Sequence, residues 1–403
     1  MVQITGIGMI TALGNTVAEN LQAILEEKEV LGHPNILQTR HRNEMVVGEV
    51  KQTNEQLAAA LNLPGAGFSR TTLLGLHALR ETLKTLPPEQ RAPKKIAFIN
   101  ATTVGGMSDV ENLYSDMISP ATEGDFLSYI DSLDCADCTQ RMADYFDLRG
   151  FQTTISTACS SSANALQLGA RMIESGEADI AICGGADALT RFTLNGFNAL
   201  KNVDKKPTRP FDQHRNGLNL GEGAAYLILE SETSAKERDA AAIAVLAGYG
   251  NTNEAHHPTA PSPDGAGALL TMQEALSVAG LDKEAIDYIN AHGTATLGND
   301  LSEGTAIERL FGNQDYPHFS STKAFTGHTL AASGAVGAII CCLAIRGSFI
   351  PPNLRFETPM EEIGIVPQKK LLRNTPVRYA LANSFGFGGN NVSLVLGDVN
   401  LRS

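Results

Sequence analysis

Thr157-Ala158-Cys159-Ser160-Ser161-Ser162-Ala163-Asn164-Ala165 is the stretch on which the reading of this sequence turns. An apolar, β-leaning run, Thr153 to Ile155, precedes it, and a helical pattern from Ala165 to Ile173 follows. A single Cys therefore sits between a buried strand and the first turn of a helix. The free N–H groups and macrodipole of a helix N-terminus favour an anion. That predicts a lowered thiol pKa and a nucleophilic thiolate at Cys159. The small neighbours leave access for a substrate. The competing reading is a small buried core residue, a common fate of free Cys.

Outward from this stretch the chain echoes itself. Ile96-Ala97-Phe98-Ile99-Asn100-Ala101 is matched by Ile286-Asp287-Tyr288-Ile289-Asn290-Ala291. The Cys159 stretch is matched by Ser321-Thr322-Lys323-Ala324-Phe325-Thr326-Gly327-His328, followed by an apolar helix, Ala331 to Ile345. Strands alternating with helices predict βαβ units and largely parallel, buried sheets. The repeat predicts a duplicated α/β fold with halves at 1–238 and 239–403, the charged helix Ser231 to Arg238 marking the boundary. Equivalent strand ends then converge. The tips after Asn100, around Cys159, after Ala291 and around Lys323 should meet in one cleft.

Those tips carry chemistry. Asn290-Ala291-His292-Gly293-Thr294-Ala295-Thr296 puts a His at a strand end beside Gly and two hydroxyls. Lys323 and His328 precede a small-residue helix. Asn383-Ser384-Phe385-Gly386-Phe387-Gly388-Gly389-Asn390-Asn391 reads either as a tight β-turn or as a loop offering N–H groups to an oxyanion. Gly6-x-Gly8 lacks the third Gly of a dinucleotide loop, so no nucleotide site is expected there. Cys135-x-x-Cys138 has no second ligand pair nearby, and Cys183 lies in a strand.

Composition narrows the function classes. The chain has 403 residues, 43% hydrophobic and 19% charged, enough for a large core. A net charge of −13 argues against non-specific nucleic-acid binding. Six Cys in this length do not read as a disulfide scaffold. The N-terminus enters a strand with no basic leader, and the apolar run Ala331 to Ile345 is short for a membrane span. A reduced, cytoplasmic, soluble protein is the expectation.

Taken together, these motifs resemble the elongating β-ketoacyl carrier-protein synthases of the thiolase-like superfamily. Thr-Ala-Cys-Ser-Ser-Ser, His-Gly-Thr-x-Thr, Thr-Lys-x-x-x-Gly-His and Asn-Ser-Phe-Gly-Phe-Gly-Gly-Asn occur in family order, with Arg209-Pro210-Phe211-Asp212 and Gly221-Glu222-Gly223-Ala224. The resemblance covers nearly the whole chain and implies a five-layer αβαβα sandwich. It implies that Cys159 carries the acyl group, with the N–H groups of Cys159 and Phe387 as oxyanion hole. Malonyl-carrier protein then decarboxylates, and His292 and His328 hydrogen-bond the enolate oxygen. Lys323 would hold the position and protonation state of His328, and Glu303 would support the network. Thr294, Thr296 and Thr259 would line the phosphopantetheine tunnel. Phe387 would gate the acyl pocket, with Val110 along its wall. No metal or cofactor is implied beyond the phosphopantetheine of the acyl carrier protein.

The resemblance also implies a homodimer, or a heterodimer with a chain-length-factor-like subunit, through residues 107–150 and the strand 153–156. Two departures stand out. Leu297 replaces the usual Pro after His-Gly-Thr-x-Thr. The segment Gly65 to Thr72, usually basic for docking the acidic carrier, keeps only Arg70, with Lys201, Lys205 and Lys206 as a substitute patch. The alternatives are a thiolase or initiating ketosynthase, against which the second His argues; a non-catalytic partner subunit, against which Cys159 argues; and a cysteine hydrolase.

Overall fold

The computed structural model describes residues 1–64, 67–92, 94–121 and 127–401. Its first element is a long buried strand, β1 (Val2–Thr11), which holds the Gly6-x-Gly8 pair. A Cβ on Gly8 would lie 2.2 Å from Ala78 O, so these glycines serve close packing of a helix on the strand. The following strands are β2 (Ile96–Ala101), β3 (Phe151–Ile155), β4 (Ile180–Asp187), β5 (Gly223–Ser231), β6 (Ala244–Asn253), β7 (Tyr288–Asn290) and β8 (His318–Ser320). A small ribbon pairs β9 (Phe349–Ile350) with β10 (Leu372–Arg373), and β11 (Tyr379–Phe385) and β12 (Asn390–Gly397) end the chain.

Ten of these strands hydrogen-bond in the order β3-β2-β4-β5-β1-β6-β12-β11-β7-β8. The order is its own mirror: β1 to β5 repeat as β6, β7, β8, β11 and β12 about the β1–β6 seam, where Val2 pairs with Leu246. The duplication read from the sequence is therefore present. The expectation of largely parallel sheets is corrected. β2 runs parallel to β3 and β4, and β7 to β8 and β11, but every pair from β4 through β5, β1, β6 and β12 to β11 is antiparallel. An antiparallel connection starts and finishes at one end of the sheet. The β4–β5 connection and the β11–β12 loop thus both stay at the end where the parallel strands finish.

Helices complete five layers. α1 (Arg70–Thr82) and α2 (Cys135–Tyr145) cover the outer face of the first half, and α5 (Ala266–Ala279) and α6 (Leu297–Phe311) that of the second; α3 (Ser161–Glu174) and α7 (Ser333–Gly347) lie between the halves, and α4 (Arg191–Ala199) sits in the β4–β5 connection. Cys183 is fully buried on β4, where a Cβ on Gly169 of α3 would lie 2.3 Å from its Sγ, so it is a core residue. Cys138 is buried under α1 and Cys135 is half-buried; both are free.

The apolar run is longer than the sequence pattern gave. Residues 330–347 are apolar and long enough to cross a membrane, with a mean hydropathy of 1.8, yet 89% buried. Their place in the middle layer, touched by sheet on both sides, accounts for that composition. At the far edge, β3 is only half covered, and Phe151 is 47% exposed.

α3 and α7 cross where Gly334 meets Ala163, and a Cβ there would lie 2.6 Å from Ala163 N. Gly334→Ala should therefore cost about 1–3 kcal/mol by overpacking, read as a lowered urea midpoint with unchanged slope.

Candidate active site

Cys159 follows Ala158, whose φ of +54° makes a strained elbow between β3 and α3. Thr157 N bonds Ser161 Oγ at 2.8 Å, and Ser161 N bonds Ala158 O at 3.2 Å, so the local serines hold the elbow shut. The thiol is left at the mouth of the central layer, in contact with the second half. Cys159 Sγ lies 3.0 Å from His328 Nε2. The His292 ring stands edge-on to that of His328, with centroids 5.3 Å apart. One donor atom each from Cys159, His292 and His328 falls within 4.8 Å of the others.

His328 is fixed by its backbone: its N–H donates to Asn219 O and its carbonyl accepts from Gly221 N, each at 2.8 Å. Leu330 N lies 3.3 Å from His328 Nδ1. An N–H facing Nδ1 makes that atom the acceptor, so the neutral ring carries its proton on Nε2 and donates towards Sγ.

His292 lies two residues beyond the end of β7, and its position is set from below. Glu303, on α6, accepts from His292 N at 2.8 Å, Gly293 N at 2.7 Å and Asn383 Nδ2 at 3.1 Å. Lys323 Nζ donates to His292 O at 2.5 Å. The expectation that Lys323 positions His328 is corrected: its hydrogen bond goes to His292, and it reaches His328 only through its charge. A chain turn explains this, because α6 and the Lys323 turn both pack beneath the β7 strand end.

Burial dominates the electrostatics. It pushes the Cys159 thiol up to about 11, against the opposing pull of Lys323 and of the Phe387 and Cys159 N–H groups. This reverses the expected lowering, because a 5% exposed thiol loses more hydration than the helix end returns. Burial, then Lys323, holds both imidazoles well below their usual value, so both are neutral at pH 7. Burial raises Glu303 to about 6 and lowers Lys323 to about 8.

The cavity above Cys159 measures about 120 Å³ and includes His292, His328, Thr259, Thr294, Thr296 and Phe387 in its lining. Thr294 and Thr296 share a 2.9 Å hydroxyl contact. Of the four predicted tips, three meet here. The tip after Asn100 instead reaches Asp187, which accepts from Thr102 Oγ1, Thr103 N and Oγ1, Val104 N and, across the seam, Ala331 N at 2.8 Å. Val110 is buried at the end of a short helix, Met107–Val110, and does not line this cavity, which is the one that holds the threonines assigned to the phosphopantetheine arm.

Arg70 is also corrected. It is buried, paired with Glu222 at 2.6 Å, and its other donors go to Val50 O, Gln52 O and Asn54 Oδ1, so it has none left for a carrier. Gly65 and Ala66 of that segment lie outside the described residues. Lys205 pairs with Glu44, whereas Lys201 and Lys206 are exposed without an ion pair among the described residues. Sequence reasoning missed Phe197, which stacks on Phe387 at 5.3 Å and reaches the cavity from α4. No spacing marks it; only the same-end β4–β5 connection brings it there.

Two family models match the chain. The β-ketoacyl synthase N-terminal domain matches residues 1–235 and the β-ketoacyl synthase C-terminal domain matches residues 243–357. The chain belongs to the β-ketoacyl synthase family. Within that family it is 32% identical over 414 residues to 3-oxoacyl-[acyl-carrier-protein] synthase 2 of Coxiella burnetii, covering 99% of this chain and 98% of the relative. Among solved structures it is similar to the ishigamide ketosynthase/chain length factor, with a TM-score of 0.92, 30% identity and 99% of both chains covered. A ketosynthase in complex with its chain length factor from Xenorhabdus doucetiae gives 0.86 and 31%, covering 99% of this chain and 98% of that one.

A raised thiol pKa has a direct readout. Alkylation of Cys159 by iodoacetamide should rise about tenfold per pH unit from 6 to 8, because only thiolate reacts. Above about pH 8 the rise should flatten as Lys323 loses the charge that favours the thiolate. A plateau already reached at pH 7 would contradict the raised pKa.

Proposed function

We propose that this β-ketoacyl synthase elongates an acyl chain by decarboxylative Claisen condensation with malonyl-carrier protein. The 3.0 Å contact of Cys159 Sγ with a donor-tautomer His328, in a cavity shared with neutral His292, carries the reading. Cys159 attacks the acyl thioester of a carrier. The oxyanion of the tetrahedral intermediate takes hydrogen bonds from the Cys159 and Phe387 N–H groups, which already face the sulfur. The C–S bond to the carrier breaks, and the departing thiol keeps the proton Cys159 gives up. The acyl-enzyme is then a thioester on Cys159.

Malonyl-carrier enters next, its arm held by Thr294, Thr296 and Thr259. Loss of CO₂ leaves an enolate whose oxygen needs donors that do not protonate its carbon. Two buried neutral imidazoles meet that need, since neither carries a spare acidic proton. Lys323 and Glu303 act one layer out, both holding the His292 backbone, while the charge of Lys323 biases both rings towards the neutral form. The carbanion attacks the acyl-Cys carbonyl, the C–S bond breaks, and Cys159 regains a proton from solvent. The chemistry is carried by the thiol and by hydrogen bonds, with phosphopantetheine supplied on the carrier and no metal or nucleotide used.

A carrier would meet Lys201 and Lys206, which flank cavity-lining Asn202, in place of the buried Arg70. The half-covered strand β3, with Phe151, suits pairing with a second chain of this fold, as a homodimer. A second reading is a specialised type II polyketide or polyene ketosynthase working with a chain-length partner. The likeness to two ketosynthases solved with chain length factors favours it.

Cys159→Ala should abolish condensation while the protein stays folded and still releases CO₂ from malonyl-carrier. His328→Ala should also lose decarboxylation, by about 10²–10³-fold, as expected on removing one preorganised donor. Radiolabelled CO₂ release and product mass measure the two steps. Condensation by Cys159→Ala at the wild-type rate would overturn the proposal.

A further inference from the structure

Three side-chain amides close a ring behind the nucleophile. Asn164 Nδ2 donates to Asn390 Oδ1 at 2.7 Å, Asn390 Nδ2 donates to Asn251 Oδ1 at 3.2 Å, and Asn251 Nδ2 donates to Asn164 Oδ1. Asn164 belongs to α3 of the first half, and Asn251 and Asn390 belong to β6 and β12 of the second. None of the three lines the cavity that holds Cys159. A ring in which each amide gives one bond to the next and accepts one from the last is directional, so it holds its members in one arrangement.

Asn390 is the member that reaches both parts of the oxyanion hole. Its Oδ1 lies 2.7 Å from Ser160 Oγ, the hydroxyl next to Cys159, which is also 2.7 Å from Thr157 O. Asn164 Nδ2 adds a 2.9 Å bond to Thr157 Oγ1, so the elbow before Cys159 is tied to the ring twice. On the other side, Asn390 O accepts from Gly386 N at 2.9 Å, closing the loop that presents Phe387. A Cβ on Gly386 would fall 2.8 Å from Thr157 O and 3.1 Å from Ser160 Oγ, so loop and elbow are in direct contact.

We propose that Asn390, through this amide ring, is a positioning residue that fixes the spacing of the Cys159 and Phe387 N–H groups. The two donors come from different halves of the chain, and no covalent path shorter than about two hundred residues joins them, so a fixed spacing needs a cross-half tie of this kind. The proposal rests on the acyl-transfer reading above. The ring holds the donors and touches no reacting atom.

Acylation and alkylation of Cys159 separate the positioning role from simple damage. Acylation passes through an oxyanion; displacement of iodide from iodoacetamide does not. In Asn390→Ala the rate of Cys159 acylation by acyl-carrier, followed by protein mass, should fall at least about tenfold through kcat, with KM nearly unchanged. Alkylation of the same thiol should stay within about twofold of wild type. Asn251→Ala opens the ring without touching Ser160 and should show the same split, smaller in size; it serves if Asn390→Ala does not fold. Wild-type acylation with an unchanged rate in both variants overturns the ring's role. So does a parallel fall of acylation and alkylation, which marks structural damage. A wild-type protein that is alkylated but never acylated overturns the acyl-transfer reading and this proposal with it.

Discussion

The contact between Cys159 and His328 joins residues 169 positions apart, and the fold exists around it. Each residue sits at the N-terminal side of a middle-layer helix, α3 or α7. Those helices can touch only because Gly334 and Ala163 let them cross without side chains between them. The mirror order of the sheet sets the two junctions face to face. A shift of either half would separate thiol from imidazole before it disturbed the hydrophobic clusters.

The site is tuned by dryness more than by charge. Thiol, imidazoles, carboxylate and ammonium are all buried, and burial moves each towards its neutral form. Neutral imidazoles can donate hydrogen bonds to a nascent enolate without delivering a proton to its carbon. The same dryness keeps the thiol protonated at rest. Nucleophilicity must therefore appear as the substrate carbonyl arrives beneath the two N–H groups, and not as a standing thiolate.

Much of this was legible in the sequence. The repeat of Ile96–Ala101 at Ile286–Ala291 gave the duplication, and the strand-end motifs gave Cys159, His292 and His328. What the sequence could not carry was direction and depth. Strand direction in the centre of the sheet depends on where long connections return, and period-two patterns do not encode that. A helix N-terminus suggests a low thiol pKa only while the thiol stays hydrated, and no local pattern reports that the second half covers it. Arg70 read as a surface cation because its partner, Glu222, lies far along the chain. Phe197 and the three ring asparagines carry no motif of their own, since their neighbours are set by tertiary contact alone.

A labelled acyl group followed through one turnover tests the central claim most directly. Acyl-carrier labelled in the acyl chain is mixed with the protein, peptides are mapped, and malonyl-carrier is then added. Label should appear on the Cys159 peptide and move quantitatively into a 3-oxoacyl chain on the carrier. Release of the label as free acid, or formation of the 3-oxoacyl product with Cys159 never labelled, would contradict the account.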